Sequence, residues 1–244
     1  MQTCGSSWQA RTELILGSDK QTLLTNAHVL VVGLGGVGAY AAEMLCRAGI
    51  GALTIVDADV VQASNRNRQL LALTSTEGRA KADLMAQRLL DINPKLQLTS
   101  IIKYLKNEEF EQILSAKYNY VVDAIDTLAP KVSLIKLCIE KGIPLVSSMG
   151  AGAKLDPTKV EIRDISKSHH CPLAHMLRKR LHKLGIRKGF KVVFSSEDPI
   201  SNAFILCDNE PNKKSTVGTI SYLPAVFGCY CASVVIRDLA GMLS

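Results

Sequence analysis

Val29-Leu30-Val31-Val32-Gly33-Leu34-Gly35-Gly36-Val37-Gly38 decides how the chain is read. An apolar, β-branched run opens directly into a glycine-rich turn. The residues after it, 39–49, place Ala41, Met44, Leu45 and Ala48 on one helical face. The order is strand, tight turn, helix. Gly33 and Gly35 let the chain turn sharply and bring backbone N–H groups close to a phosphate, and Gly38 lets the helix pack against the strand. Gly36 belongs to the same turn. The helix N-terminus offers unpaired N–H groups and a positive dipole end to an anion. A glycine pattern alone is a weak signal. Here a second apolar run, Leu53-Thr54-Ile55-Val56, ends in Asp57. An acid about 20 residues past such glycines is where a ribose hydroxyl pair is held. A purely structural turn leaves that acid unexplained, so a nucleotide site is expected.

Outward from this turn, residues 1–26 are expected to form a helical arm with Trp8, Leu14, Leu16 and Leu23 as apolar contacts. On pattern alone, Arg11 in that arm is a solvated helix charge. After Asp57 come Asp59 and the polar run Asn65-Arg66-Asn67-Arg68-Gln69. Arginines and amides so close to a glycine turn suit phosphate oxygens; elsewhere they would be a solvated loop. Residues 76–90 read as a helix capped by Ser75 or Thr76, with Lys81 in its first turns. A cation at that end of a helix points to an anion nearby or to a plain surface lysine. Strands follow over 96–102 and 120–126, with a short helix over 108–115 between them. Asp126 ends the second of these, where a carboxylate suits Mg²⁺ on nucleotide phosphates or caps the helix over 130–141. Residues 143–148 form another strand, leading into Met149-Gly150-Ala151-Gly152. The alternation predicts an α/β, Rossmann-like, doubly wound and mostly parallel sheet.

The pattern changes after Leu155. Residues 160–165 read as a strand in an antiparallel C-terminal extension, and 190–196 as another strand. Residues 167–191 hold eight Lys or Arg and no acid. Leucines at helical spacing make this an amphipathic helix whose outer face carries Arg178, Lys179 and Arg180. That face contacts a phosphate backbone or is simply solvated. His169 and His170 are adjacent and point different ways, which argues against a metal. Residues 209–219, with Lys213 and Lys214, are expected to be a mobile loop. Residues 217–236 are apolar over a membrane-spanning length. Pro224 and small polar residues indicate instead a loop followed by a buried C-terminal helix, with no integral membrane segment. One unit is expected: arm 1–26, nucleotide-binding core 27–155, extension 156–244. The net charge of +7 permits an anionic partner without demanding one. Seven cysteines make no disulfide framework, and Cys229-x-Cys231 is too isolated for a zinc site. Residues 1–12 lack the apolar segment of a signal peptide, so the cytoplasm is expected.

The motifs together resemble the ubiquitin-activating-enzyme superfamily, whose members adenylate a carboxylate with ATP. The carriers are Gly33-x-Gly35-Gly36-x-Gly38, Asp57-x-Asp59, Asn65-x-x-Arg68-Gln69, Lys81 and Asp123-x-x-Asp126. An Asn-x-x-Arg-Gln segment has no role in a nicotinamide enzyme. Within the superfamily the chain is similar to the tRNA threonylcarbamoyladenosine dehydratases from about Trp8 to Leu239. Ala48-Gly49-Ile50-Gly51, Asp91-Ile92-Asn93-Pro94, Gly150-Ala151-Gly152 and Asp156-Pro157 carry that likeness. The sulfur-carrier and molybdopterin-synthase activating members typically have two Cys-x-x-Cys pairs and a reactive cysteine; this chain has neither pair. The resemblance implies ATP-dependent dehydration of the modified adenosine at position 37 of tRNA. The threonyl carboxylate is adenylated, and a nitrogen of the same group then closes a ring. It implies that Gly33, Gly35, Gly36 and Gly38 frame ATP, with Asp57 and Asp59 beside them. Asn65, Arg68 and Lys81 contact the phosphates, Asp126 takes Mg²⁺, and Arg11 acts from the arm of a homodimer partner. A sulfur-transfer helper protein stays open as a partner. The runner-up is an adenylyltransferase for a ubiquitin-like sulfur carrier ending in Gly-Gly. A nucleotide-sensing tRNA-binding module is a third reading, against which the intact Arg68, Lys81 and Asp126 argue.

Overall fold

β1 (His28–Val32) is apolar on both faces, and its alternation builds two cores. Val29 and Val31 point into one layer, Leu30 and Val32 into the other, and all four are buried. Burying each such side chain contributes about 1.5–3 kcal/mol. The computed structural model describes residues 7–206 and 215–242. β1 sits inside a seven-stranded sheet with β2 (Ala52–Val56), β3 (Gln97–Ile101), β4 (Tyr120–Asp123), β5 (Leu145–Ser148), β6 (Val160–Asp164) and β7 (Lys191–Ser195). The order is β3-β2-β1-β4-β5-β7-β6. Every pairing is parallel except β6 with β7. This is the doubly wound sheet with an antiparallel edge that the alternation predicts.

One face is covered by α3 (Gly38–Arg47), α4 (Lys81–Ile92) and α8 (Tyr222–Leu239). The other carries α5 (Asn107–Ile113), α6 (Leu128–Glu140) and α7 (Pro172–Lys183). α8 has the length and apolar composition to cross a membrane. In this fold it is a core helix: Leu223, Phe227, Cys231, Val234 and Val235 are buried in the same cluster as β1. Gly228 lets it close onto α3, since a Cβ there would lie 2.5 Å from the Val37 carbonyl oxygen. Pro224, expected in the preceding loop, stands in the first turn of α8, where a missing N–H costs little.

Two expectations are corrected. The helix expected over 76–90 starts at Lys81. Residues Thr74–Thr76 form a separate 3-10 turn, and the Thr76 hydroxyl closes that turn by accepting the Leu73 N–H. Gly78, at φ +81°, then breaks the path before α4. In the arm, α1 (Ala10–Leu16) and α2 (Ser18–Thr25) form, but Trp8, Leu14 and Leu23 are exposed. Leu14, Ile15 and Leu16 are consecutive, so on a helix they point in different directions and cannot share one buried face. The arm is seated by Leu24, fully buried in the core, by Leu16 packed against the same core, and by its amides. Gln21 Nε2 donates to the Ala48 carbonyl, and a Cβ at Gly49 would lie 2.1 Å from Gln9 Nε2. A small hairpin, β8 (Phe204–Leu206) with β9 (Ser215–Val217), stands apart from the main sheet. The expected loop around Lys213 and Lys214 lies largely outside the described residues.

Candidate nucleotide site

β1 leaves the sheet at Gly33, whose φ of +90° only glycine adopts freely. The four glycines do different work. A Cβ on Gly38 would stand 1.7 Å from the Gly33 carbonyl oxygen, and one on Gly36 would stand 2.9 Å from Pro224 Cβ. Gly33 faces the Ala124 carbonyl oxygen, 2.8 Å from where its Cβ would be. These three are closed against protein. Gly35 meets only the Gln69 Nε2, at an ordinary 3.7 Å, and opens outward at the head of α3.

Asp57, just past β2, turns toward this opening. Its carboxylate accepts the Leu34 N–H at 2.5 Å and the Asp59 N–H at 2.7 Å. Burial pushes its pKa up, and the nearby Lys81 charge with the two backbone N–H groups offsets that only in part. Each carboxylate oxygen keeps a lone pair for a further donor. Asp59, which the resemblance implies beside the nucleotide, is engaged by Lys81. Its exposed carboxylate holds Lys81 Nζ at 2.9 Å. Lys81 is the first residue of α4 and is buried, so its ammonium sits at the unfavourable end of the helix dipole with Asp59 as counter-ion.

The polar run between β2 and α4 splits its residues. Asn65 is buried and accepts the Gln62 N–H. Arg66 is spent locally on the Ala63 carbonyl and the Thr74 hydroxyl. Arg68 is braced by the Ser64 carbonyl at 3.0 Å and the Asn67 side-chain oxygen at 2.8 Å. Asn67 in turn donates to the Thr219 carbonyl at 2.9 Å. Residues 217–219 thus cross the ligand edge of the sheet, since Gly152 abuts Val217 and the Ala153 N–H bonds the Gly218 carbonyl. No local pattern announces that crossing strap.

Gln69 is the residue the motif quoted without a task. Its Oε1 is buried and has no hydrogen-bond partner. An orphaned buried amide beside the one open glycine calls for a ligand. The set fits a nucleoside triphosphate: an opening without a Cβ, a carboxylate for hydroxyls, two cations and an unsatisfied amide.

Asp126 follows β4 by three residues, at the same edge. The N-cap position of α6 is Thr127, one residue beyond Asp126. No cluster of three metal-ligating side chains exists among the described residues. Mg²⁺ on nucleotide phosphates needs only one or two protein carboxylates, so the lack of such a cluster does not decide its binding. Arg11 is exposed on α1. The arm packs on the turn before β2, at the opposite end of the strands, so Arg11 is not brought to the site of its own chain.

α7 starts at the ligand edge and descends to the start of β7. Lys179 and Arg180 lie exposed about 11 Å down it, at 1.5 Å per residue. Arg178 is not part of a free basic face: its guanidinium is tied to the Ser168 carbonyl and hydroxyl. Cys46, Cys138, Cys171 and Cys231 are buried, and burial pushes the thiols of Cys138 and Cys231 up to about 12. None of these four is poised as a nucleophile.

The profile of the ThiF family matches residues 7–243. The tRNA threonylcarbamoyladenosine dehydratase of Bacillus subtilis is 40% identical over 237 residues, covering 94% of this chain and 93% of that protein. The crystal structure of the Escherichia coli tRNA N6-threonylcarbamoyladenosine dehydratase in complex with ATP superposes with a TM-score of 0.88 at 36% identity, covering 98% of this chain and 97% of that one. The sulfur carrier protein ThiS adenylyltransferase of E. coli is 36% identical over 139 residues, 56% of this chain and 55% of that protein.

Proposed function

The chain belongs to the ThiF family, and from that premise we propose that it is an ATP-dependent enzyme dehydrating the threonylcarbamoyl group on an adenosine of tRNA. The observation that carries the reading is the open glycine Gly35 with the orphaned Gln69 amide beside it, next to Asp57, which accepts the Leu34 N–H and feels the Lys81 charge. The full-length likeness to the dehydratases, against little more than half for the sulfur-carrier enzyme, favours tRNA over a Gly-Gly carrier.

A free carboxylate carries no leaving group at neutral pH. In the reaction its oxygen attacks the α-phosphorus of ATP and pyrophosphate departs. A nitrogen of the same threonylcarbamoyl group then attacks the activated carbonyl carbon. The bond to AMP breaks, the nitrogen loses its proton and a ring closes. The carboxylate oxygen leaves in AMP, so the nucleoside loses one water overall. The chain contributes position and charge. Gly33, Gly36 and Gly38 shape the turn, and Gly35 leaves the nucleotide room. Asp57 takes the ribose hydroxyls with its remaining lone pairs. Asn65, Arg68 and Lys81 meet the phosphates, Arg68 aimed by Asn67 and Lys81 by Asp59. Asp126 would hold Mg²⁺, which would supply charge neutralisation on the phosphates. Arg11 reaches the site of a second copy in a homodimer, consistent with its distance from its own. Lys179 and Arg180 contact the tRNA backbone. A tRNA substrate is consistent with the cytoplasm, and a sulfur-transfer helper remains an open partner.

The test is release of AMP and pyrophosphate from ATP. tRNA carrying threonylcarbamoyladenosine should drive it, and the same tRNA lacking the modification should not. Equal release with both, or none with either, overturns the reading.

A further inference from the structure

Lys131 is fully buried in α6, and its ammonium has two partners. Nζ lies 2.9 Å from Asp123 Oδ2 and donates to the Ile125 carbonyl at 2.9 Å. Asp123, also fully buried at the end of β4, accepts the Ser147 hydroxyl at 2.6 Å and the Ile125 N–H at 3.1 Å. Both backbone groups of Ile125 are therefore held by one buried ion pair. The neighbouring Ala124 N–H bonds the Val32 carbonyl, and the Ala124 carbonyl faces Gly33. The turn 124–126 is wedged between the glycine turn and α6, with Asp126 at its tip.

The pair is not explained by stability. Moving two charges out of water costs several kcal/mol per ion, and apolar residues of equal volume often serve as well or better. What an apolar pair would lack is a donor for the Ile125 carbonyl in a fixed direction. We propose that Lys131, with Asp123, is a positioning pair that sets the turn carrying Asp126 against the nucleotide phosphates. The proposal rests on the ATP reading above.

The test is titration calorimetry with two ligands, ATP with Mg²⁺ and adenosine. Lys131→Met alone leaves Asp123 buried without its cation, so the variant used is Asp123→Asn with Lys131→Met. Asparagine keeps Oδ1 as acceptor for the Ile125 N–H while its amide nitrogen donates to the Ser147 hydroxyl, methionine fills the lysine volume, and no buried charge remains. Circular dichroism confirms folding. Adenosine affinity, set by Asp57 and the glycine turn, should stay at the wild-type value. ATP affinity with Mg²⁺ should fall roughly tenfold, and turnover on the order of a hundredfold, as expected for a catalytic group displaced by about 1 Å. A merely structural pair would lower the melting temperature and leave both affinities unchanged, which overturns the proposal. If the double variant does not fold, Ser147→Ala removes one donor from Asp123 without stranding a charge. It should weaken ATP with Mg²⁺ but not adenosine, and equal affinities for both again overturn the proposal. Failure of the wild-type protein to bind ATP would instead overturn the nucleotide reading.

Discussion

Two glycines of one motif should respond in opposite ways to the same substitution. Gly38→Ala places a Cβ 1.7 Å from the Gly33 carbonyl oxygen, 2.9 Å from its carbon and 3.0 Å from Ala124 Cβ. Two of these atoms are backbone, so no flexible side chain can move aside. The head of α3 must shift by more than about 1 Å, an overpacking cost of about 1–3 kcal/mol or more. For a chain of this length each kcal/mol lowers the melting temperature by about 2–4 °C, so a fall of roughly 5–10 °C is expected. Gly35→Ala meets only Gln69 Nε2 at 3.7 Å, and its backbone is outside the left-handed region. Stability should hold or rise by about 0.4–1 kcal/mol, because alanine narrows the unfolded ensemble. The new methyl group fills the opening, so ATP affinity should drop at least tenfold, about 1.4 kcal/mol. Thermal melts and titration calorimetry on the two purified variants read both effects. A Gly38→Ala protein melting like the wild type, or a Gly35→Ala protein binding ATP like the wild type, would refute this division of labour.

Lys81→Ala and Asp126→Ala should each lower ATP-dependent AMP release by about 10²–10³-fold, the usual loss when a charge-stabilising group is removed, with little change in melting temperature. Near-normal turnover in either would show the site to be misassigned. Lys179→Ala with Arg180→Ala should weaken tRNA binding and reduce the slope of log affinity against log salt by about 2 if both meet phosphates. An unchanged slope removes α7 from the tRNA surface. Glu43 ties α3 to α4 by accepting from Arg88 at 2.5 Å and Arg47 at 2.8 Å. Burial pushes its pKa up, but the Arg88 and Arg47 hydrogen bonds outweigh that and hold it below 4.5. Its contribution is therefore present above the unfolded value and lost as pH falls through the lower folded one. Melting temperatures measured from neutral to acid pH should show this loss, and Glu43→Gln should shrink it; identical profiles would contradict it.

The sheet was legible because its strands are buried on both faces and read as unbroken apolar runs separated by helical periodicity. Gly33, Gly38 and Asp57 were legible for a related reason, since a turn needing φ > 0 and an acid at a set spacing are local signals. The rest depended on contacts distant in sequence. Asp59 could not be told from Asp57 by spacing; its pairing with Lys81 requires the loop to double back over 22 residues. Arg178 reads as one of three exposed cations, yet the chain before α7 climbs past it and presents Ser168 to its guanidinium. The strap bonded by Asn67 and the buried Lys131 are likewise invisible to periodicity. A lysine on an otherwise apolar helix face is ordinarily taken as a solvated one, and only the carboxylate ending β4 explains its burial.

The central claim is most directly tested by mass spectrometry of nucleosides from tRNA carrying threonylcarbamoyladenosine, after incubation with the purified protein, ATP and Mg²⁺. Loss of one water from that nucleoside, dependent on ATP and abolished in Lys81→Ala, is the result predicted. An unchanged nucleoside, together with ATP–pyrophosphate exchange stimulated by a small protein ending in Gly-Gly, would contradict it and assign the site to a sulfur carrier.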